Sequence, residues 1–239
     1  LLFFNLEKLS KELLSLMSNN TDSIMLGRTR NTQATLTTFG LKVSNWLAPL
    51  LRHTKRLENV YNGELLNLQF GGSVGNLAMY KKKGLLVKKK LSKELKLNYK
   101  SSVWHNQRDN LVEFTNILSF ITGTIGKIGK DLLFMSQSEV NEIAFTRSGK
   151  SSAMPHKKNP IVAELLVTIA NLNSSNLSIM HNAILHENER DGVSWMMEWK
   201  VLYDMIKLCF ASLYHSTNCI KSLKINKKIM INNIDKTYG

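Results

Sequence analysis

The chain has 239 residues, of which 43% are hydrophobic, so it can bury a sizeable core and is not an intrinsically disordered chain. No apolar run reaches the roughly 18 residues that a membrane-spanning helix needs, and we expect no contact with a membrane. The formal net charge of +14 indicates an anionic partner, either a nucleic acid or a small polyanionic substrate.

Lysine supplies most of this charge. The two lysine clusters, residues 81–83 and 88–90, lack arginine and interleaved aromatic residues, which is typical of a solvated face, so we expect no nucleic-acid partner. Cys209 and Cys219 do not have the spacing of metal ligands and are predicted to be reduced, which favours a cytoplasmic protein. The apolar start of the chain is followed by charge too early for a convincing signal peptide.

The first quarter of the chain predicts two helices. Apolar residues recur at helical spacing over residues 6–17, and a polar connector over residues 25–33 follows them. A second helix is predicted to begin at Thr38. Its apolar stripe covers residues 39–61, and Pro49 should kink or interrupt it.

The next part of the chain contains a glycine-rich turn and a basic segment. The turn, residues 69–76, could bring backbone amides close to a phosphate, but no strand precedes it, as a dinucleotide-binding motif requires. A tight turn with a close approach of two backbone segments is the alternative. Residues 81–100 are rich in lysine and predict one helix and a loop.

Three long apolar stripes then predict three long helices, over residues 111–135, 161–184 and 195–213. Glu139 and Glu142 are interpreted as helix surface, because no His, Asp or Glu set has the spacing of metal ligands. No segment shows convincing strand alternation, so the predicted fold is all-α, a long up-and-down helical bundle. Seams of this length usually continue between subunits, which predicts a homo-oligomer.

The most informative stretch is residues 149–160, Gly-Lys-Ser-Ser-Ala-Met-Pro-His-Lys-Lys-Asn-Pro. Each proline disfavours helix at the residue before it, so we predict a loop that ends where the next helix begins. Ser151 could act as a base if Lys157, backbone N–H groups and that helix start stabilise its alkoxide. Lys157 and Asn159 could hold a carboxylate, which becomes an electron sink when the adjacent carbon loses a proton. The pattern favours proton abstraction next to a carboxylate, followed by loss of a leaving group.

This stretch resembles the signature loop of the fumarase/aspartase superfamily of lyases, in the form found in 3-carboxy-cis,cis-muconate cycloisomerases and adenylosuccinate lyases. The resemblance implies that Ser151 is the general base and that Lys157 and Asn159 bind the substrate carboxylate. It also implies substrate contacts from Ser152 and Met154. A small polycarboxylate is the implied substrate, and the implied enzyme uses no cofactor and no metal.

A second similar segment lies near the start of the chain. Arg28-Thr29 with Gln33-Ala34 is similar to the Arg-Thr-His-x-Gln-x-Ala segment of the family. The similarity implies that Thr29, Arg30 and Gln33 contact the substrate.

Later segments extend the resemblance over nearly the whole chain. Residues 104–109 are similar to a segment that contributes a glutamine to the site, here Gln107. Glu164 stands where many members place a glutamate that pairs with the catalytic histidine, and Arg190 lies in a similar Glu-x-Glu-Arg neighbourhood. The implied assembly is a homotetramer in which each active site takes residues from three subunits.

Two branches of the superfamily fit the chain. Adenylosuccinate lyases carry a Ser-Ser-x-Glu-Arg string that holds a nucleotide phosphate, where this chain has Trp-Met-Met-Glu-Trp over residues 195–199. Because an indole cannot bind a phosphate as an arginine does, we favour a cycloisomerase-like lyase that acts on a small polycarboxylate. Adenylosuccinate lyase, releasing fumarate, is the alternative, and Trp195 and Trp199 could equally be core residues on a helical stripe.

Departures from the family pattern motivate a further hypothesis, a helical scaffold that has lost catalysis. Arg30 stands where the histidine general acid is expected, and an arginine is always protonated. Lys150 replaces the glycine before Ser151. Residues 1–239 are predicted to be one central long-helix domain, without the N-terminal and C-terminal domains of the family. The identity of the general acid stays open.

Overall fold

The computed structural model describes residues 1–63, 65–146, 149–150 and 158–238. Long helices dominate it, which confirms the prediction of an all-α fold class. The helices are α1 (Leu2–Ser18), α2 (Phe39–Asn62), α3 (Gly84–Glu94), α4 (Asp109–Met135), α5 (Ile161–Asn182), α6 (Gly192–Lys221) and α7 (Lys227–Tyr238), with a 3₁₀ helix over Ala78–Lys83. No helix in the described ranges is both long and apolar enough to cross a membrane.

Short strands accompany the helices, although the sequence predicts none. They are β1 (Ile24–Thr29), β2 (Thr32–Thr38), β3 (Ile143–Phe145), β4 (Gly149–Lys150), β5 (Lys158–Asn159) and β6 (Leu223–Ile225). They form three antiparallel pairs, β1 with β2, β3 with β6 and β4 with β5. Strands β3 to β6 have only two or three residues and are too short to show alternation, whereas β2 is largely exposed and has no apolar face to mark it.

The polar connector predicted over residues 25–33 is wrong, because this segment belongs to the β1–β2 hairpin. Its tip is Arg30-Asn31, and both residues have positive φ, 50° and 61°. Two positive φ values are the condition for a type I′ turn, whose twist matches that of the flanking strands. Asparagine tolerates this backbone conformation, whereas arginine adopts it at a cost of about 1–2 kcal/mol.

The described chain divides into two compact units with their own cores. Unit 1 comprises residues 1–54, 120–173 and 208–239, and unit 2 comprises residues 55–119 and 174–207. The core of unit 1 includes Leu6, Leu9, Leu13, Phe39, Val43, Trp46, Leu50, Ile121, Ile125, Ile128 and Leu132. The core of unit 2 includes Leu57, Leu68, Val112, Ile117, Met180, Ala183, Val201 and Met205.

Of the two predicted effects of Pro49, a kink or an interruption, the interruption does not occur, because helix α2 continues through this residue. The prediction for Lys88 needs correction. Lys88 is not on a solvated face but is fully buried, and its ammonium group donates to the carbonyls of Ser101 and Ser102, at 3.4 and 2.6 Å. Burial lowers the pKa of Lys88, because the charged form loses its hydration.

The cysteines are both buried thiols, as the sequence suggests. Burial raises the pKa of Cys209 to about 12 and that of Cys219 to about 11. Both side chains therefore stay protonated and unreactive at neutral pH.

Helices α4 and α5 approach closely within unit 1, and glycine makes this approach possible. A Cβ atom added at Gly126 would lie 2.4 Å from the Cβ of Ala170, and one at Gly129 would lie 2.9 Å from the carbonyl oxygen of Ala163. One turn earlier on α4, a Cβ atom at Gly123 would meet no atom within 4 Å. Packing therefore requires glycine at position 126 but not at position 123.

These contacts predict opposite results for two matched variants. We expect Gly126→Ala to lower the free energy of unfolding by about 1–3 kcal/mol, because the added methyl group overpacks the helix contact. Gly123→Ala should instead raise it by about 0.5–1 kcal/mol, since alanine restricts the unfolded chain and favours helix. Urea denaturation of both variants measures the difference. Equal effects would contradict the close contact of the two helices.

Candidate active site

The signature segment lies mostly outside the described residues. Ser151, Ser152, Met154 and Lys157 are among the residues that the structure does not describe. The two ends of the segment are described, and they pair as β4 and β5, with Gly149 opposite Asn159. The predicted transition from loop to helix is confirmed, because α5 begins at Ile161, directly after the second proline.

Glu164 lies in the first turn of α5 and is exposed. Its backbone N–H donates to the carbonyl of Pro160 at 3.1 Å. A carboxylate in the first turn of a helix interacts favourably with the partial positive charge of the helix N-terminus. Asn159, just before it, is partly exposed.

The β1–β2 hairpin carries three predicted site residues, Thr29, Arg30 and Gln33. Thr29 pairs with Thr32 next to the turn, and Arg30 occupies the tip. The side chain of Gln33 is used differently, because its amide oxygen accepts a hydrogen bond from the hydroxyl of Thr237 at 2.6 Å. The hairpin thus places Arg30 in a cavity of unit 1, whereas Gln33 contacts helix α7.

This cavity has a volume of about 270 Å³ and is strongly basic. Its lining comprises Arg28, Arg30, Asn31, Lys42, Lys130, Asp131, Phe134 and Met135. The residues come from the hairpin and from helices α2 and α4, so separate parts of the sequence contribute its charge. We call it the hairpin cavity.

Arg28 is held on one side of the hairpin cavity by a buried ion pair. Its two terminal nitrogens donate to the two carboxylate oxygens of Glu142, at 2.7 and 3.1 Å. Glu142 is fully buried and also accepts from the side-chain amide of Asn233, at 3.3 Å. The guanidinium group of Arg28 stacks on the ring of Phe134. The interpretation of Glu142 as helix surface is therefore wrong, because it is the buried partner of Arg28.

Asp131, the acidic residue in this lining, is paired as well. It accepts hydrogen bonds from the indole N–H of Trp46, at 2.6 Å, and from the ammonium group of Lys127.

Lys42, on helix α2 of this lining, has a lowered pKa. Burial is the main cause, and the positive charges of Lys127 and Arg28 add to the shift. The negative charge of Asp131 opposes this shift in part.

Unit 2 contains a second cluster around the glycine-rich turn. Gln69 hydrogen-bonds to Nδ1 of His105, and its amide oxygen accepts from the backbone N–H of Trp104 at 2.8 Å. Nε2 of His105 donates to the carbonyl of Gly72 at 2.7 Å, which fixes the tautomer of a neutral imidazole. His105 is therefore a buried residue that holds the turn in place.

The turn itself is the close-approach type rather than a phosphate-binding loop of a dinucleotide fold. Gly72 and Gly75 have positive φ, 76° and 84°. A Cβ atom at Gly75 would lie 2.7 Å from the side chain of Val103, so both the backbone conformation and the packing require glycine there.

Arg190 joins this cluster from the segment before α6. Its guanidinium group donates to the carbonyl of Gly72 at 2.8 Å and lies 4.8 Å from the ring centroid of Trp195. Trp195 stacks on Trp199, whose side chain is 64% exposed and is not a core residue. Glu198, which lies between the two tryptophans in the sequence, forms a buried ion pair with Arg108.

Gln107 lines a separate, smaller cavity of unit 2, with a volume of about 90 Å³. Asn67, Lys100, Ser102, Trp104, Asp109 and Asn110 complete its lining. Among the described residues, Trp104 has no partner for its buried indole N–H. The cavity is large enough for a carboxylate or a few water molecules but not for a whole tricarboxylate.

Several of these contacts have no local signal in the sequence. Arg28 and Glu142 are 114 residues apart, and Arg108 and Glu198 are 90 residues apart. No group of His, Cys, Asp and Glu side chains in the described ranges is arranged to hold a metal ion.

Comparisons with known proteins identify the chain's relatives. A family model described as lyase matches residues 1–172. The chain is 34% identical to a 3-carboxy-cis,cis-muconate cycloisomerase of Pseudomonas aeruginosa, over 98% of this chain and 52% of that protein. It is 32% identical to an N-acetyl-S-(2-succino)cysteine lyase of Dickeya dadantii, over 95% of this chain and 51% of that protein.

A solved structure shows the same fold. The crystal structure of the 3-carboxy-cis,cis-muconate lactonizing enzyme from Pseudomonas putida matches with a TM-score of 0.92 and 34% identity, over 98% of this chain and 52% of that one. The chain thus spans about half the length of the curated relatives it matches. Sequence and structure agree that the chain belongs to the lyase family, within the fumarase/aspartase superfamily that its signature segment resembles.

Proposed function

We propose that the protein is a lyase or cycloisomerase that uses a serine base to abstract a proton next to a carboxylate, with β-elimination or the reverse addition on a small polycarboxylate. The preferred substrate type is 3-carboxy-cis,cis-muconate, which reacts in the direction of addition. The observation that carries this proposal is the 34% identity to a 3-carboxy-cis,cis-muconate cycloisomerase over 98% of the chain. The signature segment supplies the chemistry, with Lys157 and Asn159 stabilising the charge that develops on the carboxylate. In elimination, Ser151 removes the proton and the leaving group departs from the next carbon. In the reverse addition to 3-carboxy-cis,cis-muconate, a carboxylate oxygen bonds to one carbon of the double bond and the Ser151 hydroxyl returns a proton to the other.

The rest of the proposed site follows the same logic. Thr29, Arg30 and Gln107 supply donors for further carboxylates, and Ser152 and Met154 shape the wall beside Ser151. Glu164 and Arg190 have supporting roles, and Gln33 contributes less because its amide oxygen already accepts from Thr237. A homotetramer with shared active sites and a location in the cytoplasm complete the proposal.

The environment of residues 195–199 supports a polycarboxylate over a nucleotide. Glu198 is occupied by the buried pair with Arg108, and Arg190 is occupied by the carbonyl of Gly72 and by Trp195. The guanidinium groups of Arg108 and Arg190 are thus already bound, whereas binding of a nucleotide phosphate would require a guanidinium group that can donate two hydrogen bonds to it. Adenylosuccinate is therefore the less favoured substrate.

Cleavage of a carbon–sulfur bond is a second candidate function. It is supported by the 32% identity to an N-acetyl-S-(2-succino)cysteine lyase over 95% of the chain. The chemistry needs the same base and the same carboxylate site, because only the leaving group on the neighbouring carbon differs.

A substrate panel tests the proposal. The purified protein is incubated separately with 3-carboxy-cis,cis-muconate, N-acetyl-S-(2-succino)cysteine and adenylosuccinate, and products are separated by chromatography. We expect the first compound to be consumed with a kcat/KM at least about tenfold above that of the others, a difference of 1.4 kcal/mol in transition-state binding. Both alternative reactions release fumarate, so the second product distinguishes them: preferred release of N-acetylcysteine would select the carbon–sulfur lyase, and preferred release of AMP would select adenylosuccinate lyase.

A protein that converts none of these compounds would support the inactive-scaffold hypothesis. The double variant Arg30→His, Lys150→Gly then provides the direct comparison. Activity that appears only in this variant would show that the two departures from the family pattern had abolished catalysis.

A further inference from the structure

The charges of the hairpin cavity are not balanced. Arg28 is neutralised by Glu142, and Asp131 is paired with Lys127. The other charged residues of the lining are Arg30, Lys42 and Lys130. Within the described part of the chain, none of these three cations forms an ion pair with a carboxylate. Three positive charges without an ion-pair partner therefore face one cavity of about 270 Å³, in whose lining Asp131 is the acidic residue.

The position of these cations is fixed by three different elements. Arg30 is at the tip of the hairpin, Lys42 is in the first turn of α2, and Lys130 is near the end of α4. The buried pair of Arg28 with Glu142 anchors the hairpin beside α4, so the tip cannot move away without breaking it. The cavity is thus held open by contacts that do not involve the three free cations.

The charged form of Lys42 is disfavoured in this cavity. Lys42 is partly buried, and burial is the main cause that lowers its pKa. The charges of Lys127 and Arg28 add to this shift, whereas those of Asp131 and Glu142 oppose it in part. A bound anion would oppose the shift further, because it would add negative charge at short range.

The apolar part of the lining indicates which kind of anion fits. Phe134 and Met135 form a wall beside the cations, and Asn31 adds a neutral polar side chain. A carbon skeleton can pack against such a wall while its acid groups meet the cations, whereas a bare phosphate leaves the wall uncovered. The volume suits a molecule with a few carbon atoms and two or three carboxylates.

We propose that Arg30, Lys42 and Lys130 together form a subsite, the hairpin cavity, that binds the carboxylates of a small polycarboxylate. The assignment of this ligand class rests on the proposed function, but the subsite is defined by unit 1 alone. It adds Lys42 and Lys130 to the residues that determine specificity.

Isothermal titration calorimetry with tricarballylate as the probe tests this subsite. We expect Lys42→Met and Lys130→Met each to weaken tricarballylate binding by about tenfold, because each removes one charge-assisted contact. Lys42→Arg should retain most of the affinity. Lys8→Met is the matched control, since Lys8 is exposed on α1, carries the same charge and does not line the cavity.

Each result has a defined meaning. Unchanged affinity in both methionine variants would overturn the proposal, and so would binding of inorganic phosphate as tight as that of tricarballylate. Lys130 is exposed, so its variant remains informative if Lys42→Met folds poorly. If the methionine variants lose tricarballylate binding but the unmodified protein converts no lyase substrate, the proposed function alone is contradicted. If the unmodified protein turns over substrate normally and both variants bind tricarballylate as tightly as it does, the subsite alone is contradicted.

Discussion

Replacing Ser151 by alanine is expected to lower kcat by about 10²- to 10⁴-fold, which is the usual contribution of a group that transfers a proton as general base or general acid. Substrate binding should change little, because the proposed carboxylate contacts come from Lys157 and Asn159. The measurement is kcat from the consumption of 3-carboxy-cis,cis-muconate, together with the Kd of a substrate analogue from calorimetry. A drop in kcat without a change in Kd identifies an interaction that is made only in the transition state.

The neighbouring serine offers a matched control for this experiment. Ser152→Ala removes the same hydroxyl group one residue away, where we propose a contact to bound substrate. Its effect should fall mainly on KM, whereas that of Ser151→Ala falls on kcat. Near-normal turnover by Ser151→Ala would reject the proposed base, and equal losses in the two variants would show that the loop conformation matters more than either hydroxyl.

Breaking the ion pair of Arg28 with Glu142 should have the largest effect on stability. We expect Glu142→Gln to lower the free energy of unfolding by about 3–5 kcal/mol, because it leaves the Arg28 charge without its buried partner. Two hydrogen bonds, at 2.7 and 3.1 Å, are lost or weakened, and the carboxylate that they involve is 0% exposed. The free energy of unfolding from urea denaturation measures the effect.

An exposed ion pair serves as the comparison. Glu58→Gln disrupts the surface pair of Glu58 with Lys55, whose side chains are 44% and 72% exposed, and it should cost less than about 1 kcal/mol. The double variant Arg28→Met, Glu142→Gln should lose clearly less than the sum of the two single variants, because no unpaired charge stays buried. Additive losses would contradict direct coupling of the two side chains.

The long helices could be predicted from the sequence because their apolar residues recur over many turns. The stripe over residues 111–135 lies in α4, and the stripe over residues 195–213 lies in α6. The hairpin was missed because β2 is largely exposed, so no apolar alternation marks it. Its threonine content favours a strand, and the Arg-Asn pair at its tip is not one of the common turn dipeptides that contain glycine.

The residues that surround the site were predictable only where they belong to a local motif. The order of residues 149–160 is distinctive enough to indicate the family, and Gln107 and Arg190 lie in further segments that resemble it. Lys130 carries no such signal, since a lysine on a long amphipathic helix usually faces solvent. Glu142 was assigned to a helix surface because no His, Asp or Glu set has the spacing of metal ligands.

By itself the sequence determined the all-α class, the family and the proposed chemistry of Ser151, because helical periodicity and a contiguous motif are properties of neighbouring residues. Only the tertiary structure decided which charges are neutralised. Arg28 pairs with Glu142, 114 residues away in the sequence, and Lys127 pairs with Asp131. The cations of the hairpin cavity that form no ion pair in the described part of the chain are Arg30, Lys42 and Lys130. Such pairing depends on distances of a few ångströms between helices and a hairpin, which no spacing along the chain specifies.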